Sequence, residues 1–183
     1  PHYMGRESES DDLTRYQTVY AESEGAIAAP TAGLHFTEEI LAQLNHTAIT
    51  LHVGVGTFKP VKAEIITDHE MHTERYAISA AAAEKINGTT TGRKISIGTT
   101  VTRVLEAVPK PLTPHAGETD IFIYPPYQFK QVDALLTNFH LPKSTLLMLI
   151  SAFAGKELIE EAYSKAIENR YRFYSYGDCM FIV

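Results

Sequence analysis

The spacing of apolar positions cuts the chain into short runs that alternate between helical and strand periodicity. "FTEEILAQL" sets Phe36, Ile40, Leu41 and Leu44 on one helical face. Thr37 is placed to cap that helix, and Glu38 and Glu39 fall in its first turn, where carboxylates favour the helix dipole. "AITLHVGVG" reads as a strand closed by glycines, "SAAAAEKIN" as a helix, and "KISIGTT" as a buried strand. "VTRVLEAV" gathers Val101, Val104, Leu105 and Val108 into one helical stripe. "TDIFIYPPY" and "DALLTNFH" are strand-like, "STLLMLISAFA" is apolar all round and reads as a buried helix, and "KELIEEAYSKAIENR" is amphipathic, with Glu161 and Lys165 one turn apart. "YRFYSYGDCMFIV" reads as a strand pair with a Gly-Asp break.

Strands alternating with helices predict an α/β fold, a barrel-like domain with a largely parallel sheet. Right-handed crossovers then bring the carboxyl ends of the strands to one rim, where sites in such folds gather. The polar stretch "GRESESDDLTR" marks 1–15 as a mobile lead-in, leaving 16–183 as one α/β domain of the catalytic type. With 183 residues, 44% hydrophobic and 21% charged, the chain is long enough for one sizeable core.

Charge and cysteine usage narrow the partners. The single Cys179 excludes an internal disulfide and a cysteine-rich zinc module, and it suits a reducing cytoplasm. No export leader opens the chain, and "LLMLISAFAG" is too short to span a bilayer, so a cytoplasmic protein without a membrane partner is expected. The start "PHYMGRESES" lacks an initiating Met and reads as a fragment or a trimmed chain. A net charge of −6 opposes general affinity for polyanions, so a nucleic-acid partner requires a local basic patch or a basic domain elsewhere.

Candidate chemistry sits at the strand ends. In "ISIGTTVTRVLE" a strand passes through Gly98, Thr99 and Thr100 into a helix whose free N–H groups attract anions. Thr100 is the candidate cap. Arg103 either grips a carboxylate or phosphate, or is a solvated arginine on a capped helix. "LTNFHLPKSTLLML" repeats the layout: Asn138 offers donors and acceptors, His140 exchanges a proton near neutral pH, Ser144 caps the next helix, and Lys143 meets a phosphate or faces water. His35 in "PTAGLHFT" and His52 in "TLHVGVGTF" stand beside small residues, in ligand-approach loops or tight turns around buried imidazoles. "DHEMHTERY" holds His69 and His72 three apart among acids. That spacing is not the H-E-x-x-H zinc helix, and no second ligand pair supports it, so a polar loop near the rim is expected and no bound metal.

Eight stretches in order, "RYQTVYA", "APTAGLHFT", "TLHVGVGTFKPV", "HEMHTE", "GTTVTRVLE", "TDIFIYPPYQF", "LLTNFHLPKSTLLMLISAFAG" and "YRFYSYGDCMFI", resemble the S-adenosylmethionine:tRNA ribosyltransferase-isomerase family of queuosine biosynthesis. They run from Arg15 to the end. The resemblance implies an α/β barrel-like domain, with the family's inserted β-barrel domain absent from these 183 residues. Two departures stand out: a short join at "LNHTAITLH", and Glu118 where the family commonly has an aromatic residue.

The resemblance further implies transfer and isomerisation of the ribosyl moiety of S-adenosylmethionine onto 7-aminomethyl-7-deazaguanine in tRNA with a GUN anticodon. Epoxyqueuosine forms, and adenine and methionine leave. S-adenosylmethionine is then a co-substrate, with no prosthetic group or metal, and a monomer is expected. Mapped onto that reaction, His140 and His52 are the proton-transfer candidates. Thr99, Thr100, Arg103, Asn138, His35, His69, His72 and Tyr124 are candidates for substrate binding, and Lys143 and Arg172 for tRNA contact. The rival reading is a non-catalytic tRNA-binding remnant; a metal-dependent hydrolase built on the HxxH pair would instead be sensitive to chelators.

Overall fold

The computed structural model describes residues 7, 9–22, 25–26, 28–54, 61 and 65–183. Strands β1 (Thr50–His52), β2 (Glu74–Ile78) and β4 (His115–Thr119) form one three-stranded sheet in the order β1-β2-β4. Strands β3 (Ile95–Ile97), β5 (Ala134–Asn138) and β6 (Cys179–Ile182) form a second, in the order β3-β5-β6. Helices α3 (Ala80–Gly88), α4 (Thr99–Ala107), α5 (Thr145–Ala154) and α6 (Lys156–Glu168) cover them, with short turns at α1 (Asp12–Arg15) and α2 (Glu38–Ala42). The expected lead-in 1–15 lies partly outside the described residues; its described tail makes the single turn of α1.

The expectation of a largely parallel sheet is corrected. Only β3 and β5 run parallel; β1/β2, β2/β4 and β5/β6 are antiparallel. The chain leaves the first sheet after β2, lays down β3 in the second, and returns to place β4 beside β2. Sequence alternation reports the type of each element, not which sheet accepts it.

Three local expectations change as well. The polar loop expected across 68–76 ends at Thr73, because Glu74–Ile78 is the central strand of the first sheet. Its inward positions Glu74, Tyr76 and Ile78 are buried, in the period of two a half-buried strand requires. "TDIFIYPPY" contributes only Thr119 to a strand; beyond it Phe122 stacks on Tyr124 at 4.8 Å. In "YRFYSYGDCMFIV" only Cys179–Ile182 is a strand, the residues before it forming a turn closed by Gly177 N–H on the Tyr174 carbonyl at 3.0 Å.

The caps follow local chemistry. Thr37, Ser79 and Ser144 each accept from the backbone N–H three residues on. The helix α4 is different: its cap is Gly98, at φ +94°, so Thr100 lies inside the first turn and does not cap. One cluster of Tyr76, Ile78, Ala82, Ala83, Val104, Leu105 and Val108 packs α3 and α4 on the first sheet. A second, of Ile123, Leu135, Leu149, Ile150 and Ile159, packs α5 and α6 on β5. Phe153 touches both. Each fully buried aliphatic side chain here stabilises by about 1.5–3 kcal/mol.

A buried ion pair ties the first sheet to α4. The Arg103 guanidinium donates from Nη1 to Glu74 Oε2 at 2.7 Å and from Nε to the Ile121 carbonyl at 3.0 Å, with side-chain exposures of 3% and 1% for Arg103 and Glu74. Arg103 is therefore neither solvated nor off the core. Burial pushes the guanidinium below its ordinary range, while Glu74 and then Asp120 hold it up. Removing one partner leaves the other charged and unpaired in the interior. Arg103→Leu is thus expected to cost about 3–5 kcal/mol in urea unfolding, and Glu74→Leu with Arg103→Leu to regain most of that loss. A single variant as stable as the double one would show that the pair carries no such constraint.

Candidate active site at the carboxyl ends of β3 and β5

The parallel pair β3 and β5 sends its carboxyl ends to one edge, and the chain's reactive residues arrive there on four segments. Gly98 leaves β3 with its N–H on the Leu136 carbonyl at 2.8 Å, and its positive φ turns the chain into α4. A β-carbon at Gly98 would sit 3.7 Å from Ala32 Cβ, on the 3-10 turn Thr31–His35. Thr99 is buried and Thr100 half-buried at the start of α4. Thr102 fastens this corner by donating to the Gly98 carbonyl at 3.1 Å and meeting Ser96 Oγ at 2.7 Å.

Asn138 ends β5 with 3% exposure. Its Nδ2 donates to the Tyr174 and Ser175 carbonyls at 3.0 and 3.3 Å, which fixes the amide and leaves Oδ1 buried without a donor. The same turn meets Tyr16, whose hydroxyl reaches Ser175 Oγ at 3.4 Å and whose ring lies 5.4 Å from Tyr176. His35, at the end of the 3-10 turn, has a buried Nε2 with no partner among the described residues and lies within electrostatic reach of Asp178. Arg172 donates to Asp178 Oδ1 at 2.6 Å, and this hydrogen bond leads in holding the Asp178 carboxyl below its ordinary range. Two buried polar atoms that have no partner among the described residues therefore border one turn, 174–178. Such atoms cost free energy unless something pairs with them.

His140 takes a different direction from Asn138. Its Nε2 lies 3.0 Å from Thr137 Oγ1, and its backbone N–H donates to Tyr163 Oη at 2.7 Å. Thr137 and Asn138 point to opposite faces of β5, so the imidazole lies on the Thr137 side, away from Asn138, because β5 ends at Asn138 and its period ends with it. Burial pushes His140 down from 6.5 to about 4, so the ring is neutral at pH 7. The residue as a whole keeps partial exposure, so this low value belongs to the ring turned onto Thr137. Burial also pushes Tyr163 up to about 12.

The remaining candidates fall into separate groups. His69 lies edge-on to Phe122 at 5.3 Å, and Phe122 carries the row on to Tyr124. This aromatic row follows the Ile121 carbonyl held by Arg103. His52 ends β1 opposite Arg75, with Gly25 so close that a β-carbon there would sit 3.2 Å from His52 Nδ1. His72 and Lys143 are exposed, and Arg172 is exposed and engaged with Asp178. Among the described residues no group of three His, Cys, Asp or Glu side chains is arranged to hold a metal ion. Residues that the sequence reading missed are Glu74, Tyr16, Ser175, Asp178, Thr137 and Phe122. The period of two in "ERYAI" was the signal for Glu74; the meeting of Tyr16 with Ser175, across 159 positions, is one that no local pattern carries, whereas Thr137 reaches His140 and Asp178 reaches Arg172 within six positions.

Comparison with known proteins assigns the chain. The family profile described as "Queuosine biosynthesis protein" matches residues 1–182. The S-adenosylmethionine:tRNA ribosyltransferase-isomerase of Coxiella burnetii (strain CbuG_Q212) is 58% identical over all of this chain and 56% of its own length. Its counterpart in Geobacter sulfurreducens is 54% identical, again over all of this chain and 56% of its own. A crystal structure of S-adenosylmethionine tRNA ribosyltransferase from Thermotoga maritima matches with a TM-score of 0.68 and 42% identity, covering 83% of this chain and 51% of that one. The chain thus spans little more than half the length of the relatives it matches. It belongs to the queuosine biosynthesis protein family.

Proposed function

We propose that the chain acts in the transfer and isomerisation of the ribosyl moiety of S-adenosylmethionine onto 7-aminomethyl-7-deazaguanine in tRNA, giving epoxyqueuosine and releasing adenine and methionine. The observation that carries this reading is similarity along the whole chain, at 58% identity, to a relative named for that enzyme. The proposed partners are a tRNA with a GUN anticodon and S-adenosylmethionine as co-substrate, without a prosthetic group. A cytoplasmic monomer is the proposed working form.

The chemistry sets three tasks. The sulfonium acidifies its neighbouring 5′-carbon, so a base is wanted there. Departing adenine carries negative charge unless a proton reaches it, so an acid is wanted at the other end. The bases themselves need hydrogen-bond partners. Asn138 Oδ1 and His35 Nε2 are buried and unpaired, which suits them to the exocyclic amines and ring nitrogens of a purine. Thr99, Thr100 and Arg103 would serve the methionine carboxylate, Arg103 through its unpartnered Nη2. Tyr124 with His69, joined through Phe122, offers ring faces to the sulfonium, with His72 on the adjoining strip. His140 and His52 are the proposed proton-transfer residues. A neutral His140 is an acceptor, and its low value makes it a base that stays unprotonated throughout the physiological range. Lys143 and Arg172 are proposed to meet tRNA phosphates.

A second reading has a specific observation behind it, the chain's coverage of only 56% of its relatives' length: a tRNA-binding part without turnover. Mixing the chain with S-adenosylmethionine and tRNA carrying 7-aminomethyl-7-deazaguanine separates the two. Stoichiometric adenine and methionine with a matching mass gain on the tRNA is the expected result; binding without either product would favour the second reading.

If turnover is found, His140→Gln should keep substrate binding and lower kcat at least a hundredfold, the range of general acid–base catalysis. Unchanged kcat with an unchanged pH profile would return His140 to a purely structural role.

The same residue makes a stability prediction that does not depend on turnover. Between pH 6.5 and 4 the unfolded chain takes up a proton that the folded His140 refuses, so stability falls as pH drops through that window. His140→Gln should flatten the acid side of the stability profile. An acid-unfolding curve of the same steepness in the variant would refute the depressed value.

A further inference from the structure

The pole opposite the candidate active site, where β3 and β5 begin and α4 ends, has a composition unlike the rest of the chain. Lys94 and Asp133 bind each other's backbone there: Lys94 N–H donates to Asp133 Oδ2 at 2.7 Å, and Asp133 N–H to the Lys94 carbonyl at 2.9 Å. Lys130 precedes this clamp, and Lys110 Nζ donates to the Lys130 carbonyl. Arg93, Lys94, Lys110 and Lys130 thus all belong to this pole, Lys110 and Lys130 in direct contact; three of the four are exposed, Lys94 being half-buried. Elsewhere five cations are committed to carboxylates: Arg75, Arg103, Lys156, Lys165 and Arg172. Among the described residues, none of the four at this pole forms an ion pair.

The local carboxylates do not cancel them. Glu106 is 6% exposed and accepts from the backbone N–H groups of Lys130, Gln131 and Val132 at 2.8–3.0 Å and from Tyr127 Oη at 3.3 Å. Asp133 is held on the Lys94 N–H. Four cations against two engaged carboxylates leave an excess of positive charge on a chain whose net charge is −6.

A cleft of about 300 Å³ opens between these lysines, lined by Glu106, Val108, Lys110, Lys130 and Gln131. Gln131 is 4% exposed. Its Nε2 donates to the carbonyls of Leu105, in the last turn of α4, and of Val108, the residue that caps it, which fixes the amide orientation. Its Oε1 is buried and has no donor among the described residues. A bare phosphate would fit poorly, since its oxygens repel that acceptor. A ligand that carries a hydroxyl between anionic groups would fit, and the ribose 2′-hydroxyl of an RNA strand is such a group.

We propose that this cleft is an RNA-backbone subsite in which Lys110 and Lys130 hold neighbouring phosphates and Gln131 Oε1 accepts a ribose 2′-hydroxyl. The choice of RNA rests on the tRNA substrate proposed above. The nine residues of α4 separate the subsite from Gly98 by about 13 Å at 1.5 Å per residue, so it would grip tRNA outside the nucleotide undergoing chemistry.

Filter binding of the 183-residue chain to an unmodified tRNA transcript and to DNA of the same sequence, across a salt series, tests this without S-adenosylmethionine or turnover. The transcript should bind at least tenfold tighter than the DNA. Lys110→Ala with Lys130→Ala should lower the slope of log K against log salt by about 1.4–1.8, the loss of two phosphate contacts. Lys110→Arg with Lys130→Arg should keep that slope, and Lys156→Ala should leave binding unchanged. Lys130→Ala alone, whose side chain makes no hydrogen bond among the described residues, gives half the slope change should the double variant fail to fold. Equal affinity for RNA and DNA, an unchanged slope in the alanine variants, or displacement of the transcript by polyglutamate at equal charge would overturn the proposal. A chain that binds in the expected way but releases no adenine would sink the catalytic reading and leave this subsite standing.

Discussion

The two-sheet arrangement depends on Arg103 being charged and buried at once. Its guanidinium reaches Glu74 on β2 and the Ile121 carbonyl after β4, so one side chain ties α4, the helix that follows β3 of the second sheet, to two segments of the first. Hydrophobic contact alone would let α4 slide on the first sheet, because Val104, Leu105 and Val108 offer no direction along their stripe. A fork of N–H groups meeting a carboxylate at 2.7 Å offers one geometry. That selectivity comes against a large desolvation cost, repaid only when the partners are well placed.

The consequence reaches both poles of α4. At its start, Gly98 turns the chain from β3 into α4 at a positive φ that a glycine adopts freely because it has no β-carbon. At its end, Glu106 receives three successive backbone N–H groups and closes the 127–132 segment over the helix terminus. A carboxylate that accepts several backbone donors acts as a fixed anchor. The candidate active site and the basic cleft are therefore set by one rigid element about 13 Å long.

How far the sequence disclosed this follows from the range of each interaction. The caps at Thr37 and Ser144, the helices α3 to α6 and the strand β5 are decided within a few residues, and their patterns could be read directly. Sheet membership could not be read that way, because β4 pairs with β2 across α3, β3 and α4. "HTERY" was misleading for a related reason: flanking polar residues hid a strand in which Glu74 occupies an inward position that an aliphatic residue usually fills. Arg103 lies within a helix whose remaining surface suggested a solvated charge; only the carboxylate 29 positions earlier explains its burial.

The same reasoning separates His35 from His140 by the contacts each one makes. His35 and Asn138 approach one turn from different segments, and each keeps an unpaired buried atom there, so free energy is held in reserve for whatever completes the hydrogen bonding. His140 has its ring on Thr137 and its backbone on Tyr163, and burial holds it neutral. His140 is thus fixed at both ends, whereas His35 and Asn138 each keep a buried polar atom unpaired among the described residues. The divergence begins at Asn138, where β5 stops: two more residues of strand would have put the imidazole on the same face as the amide.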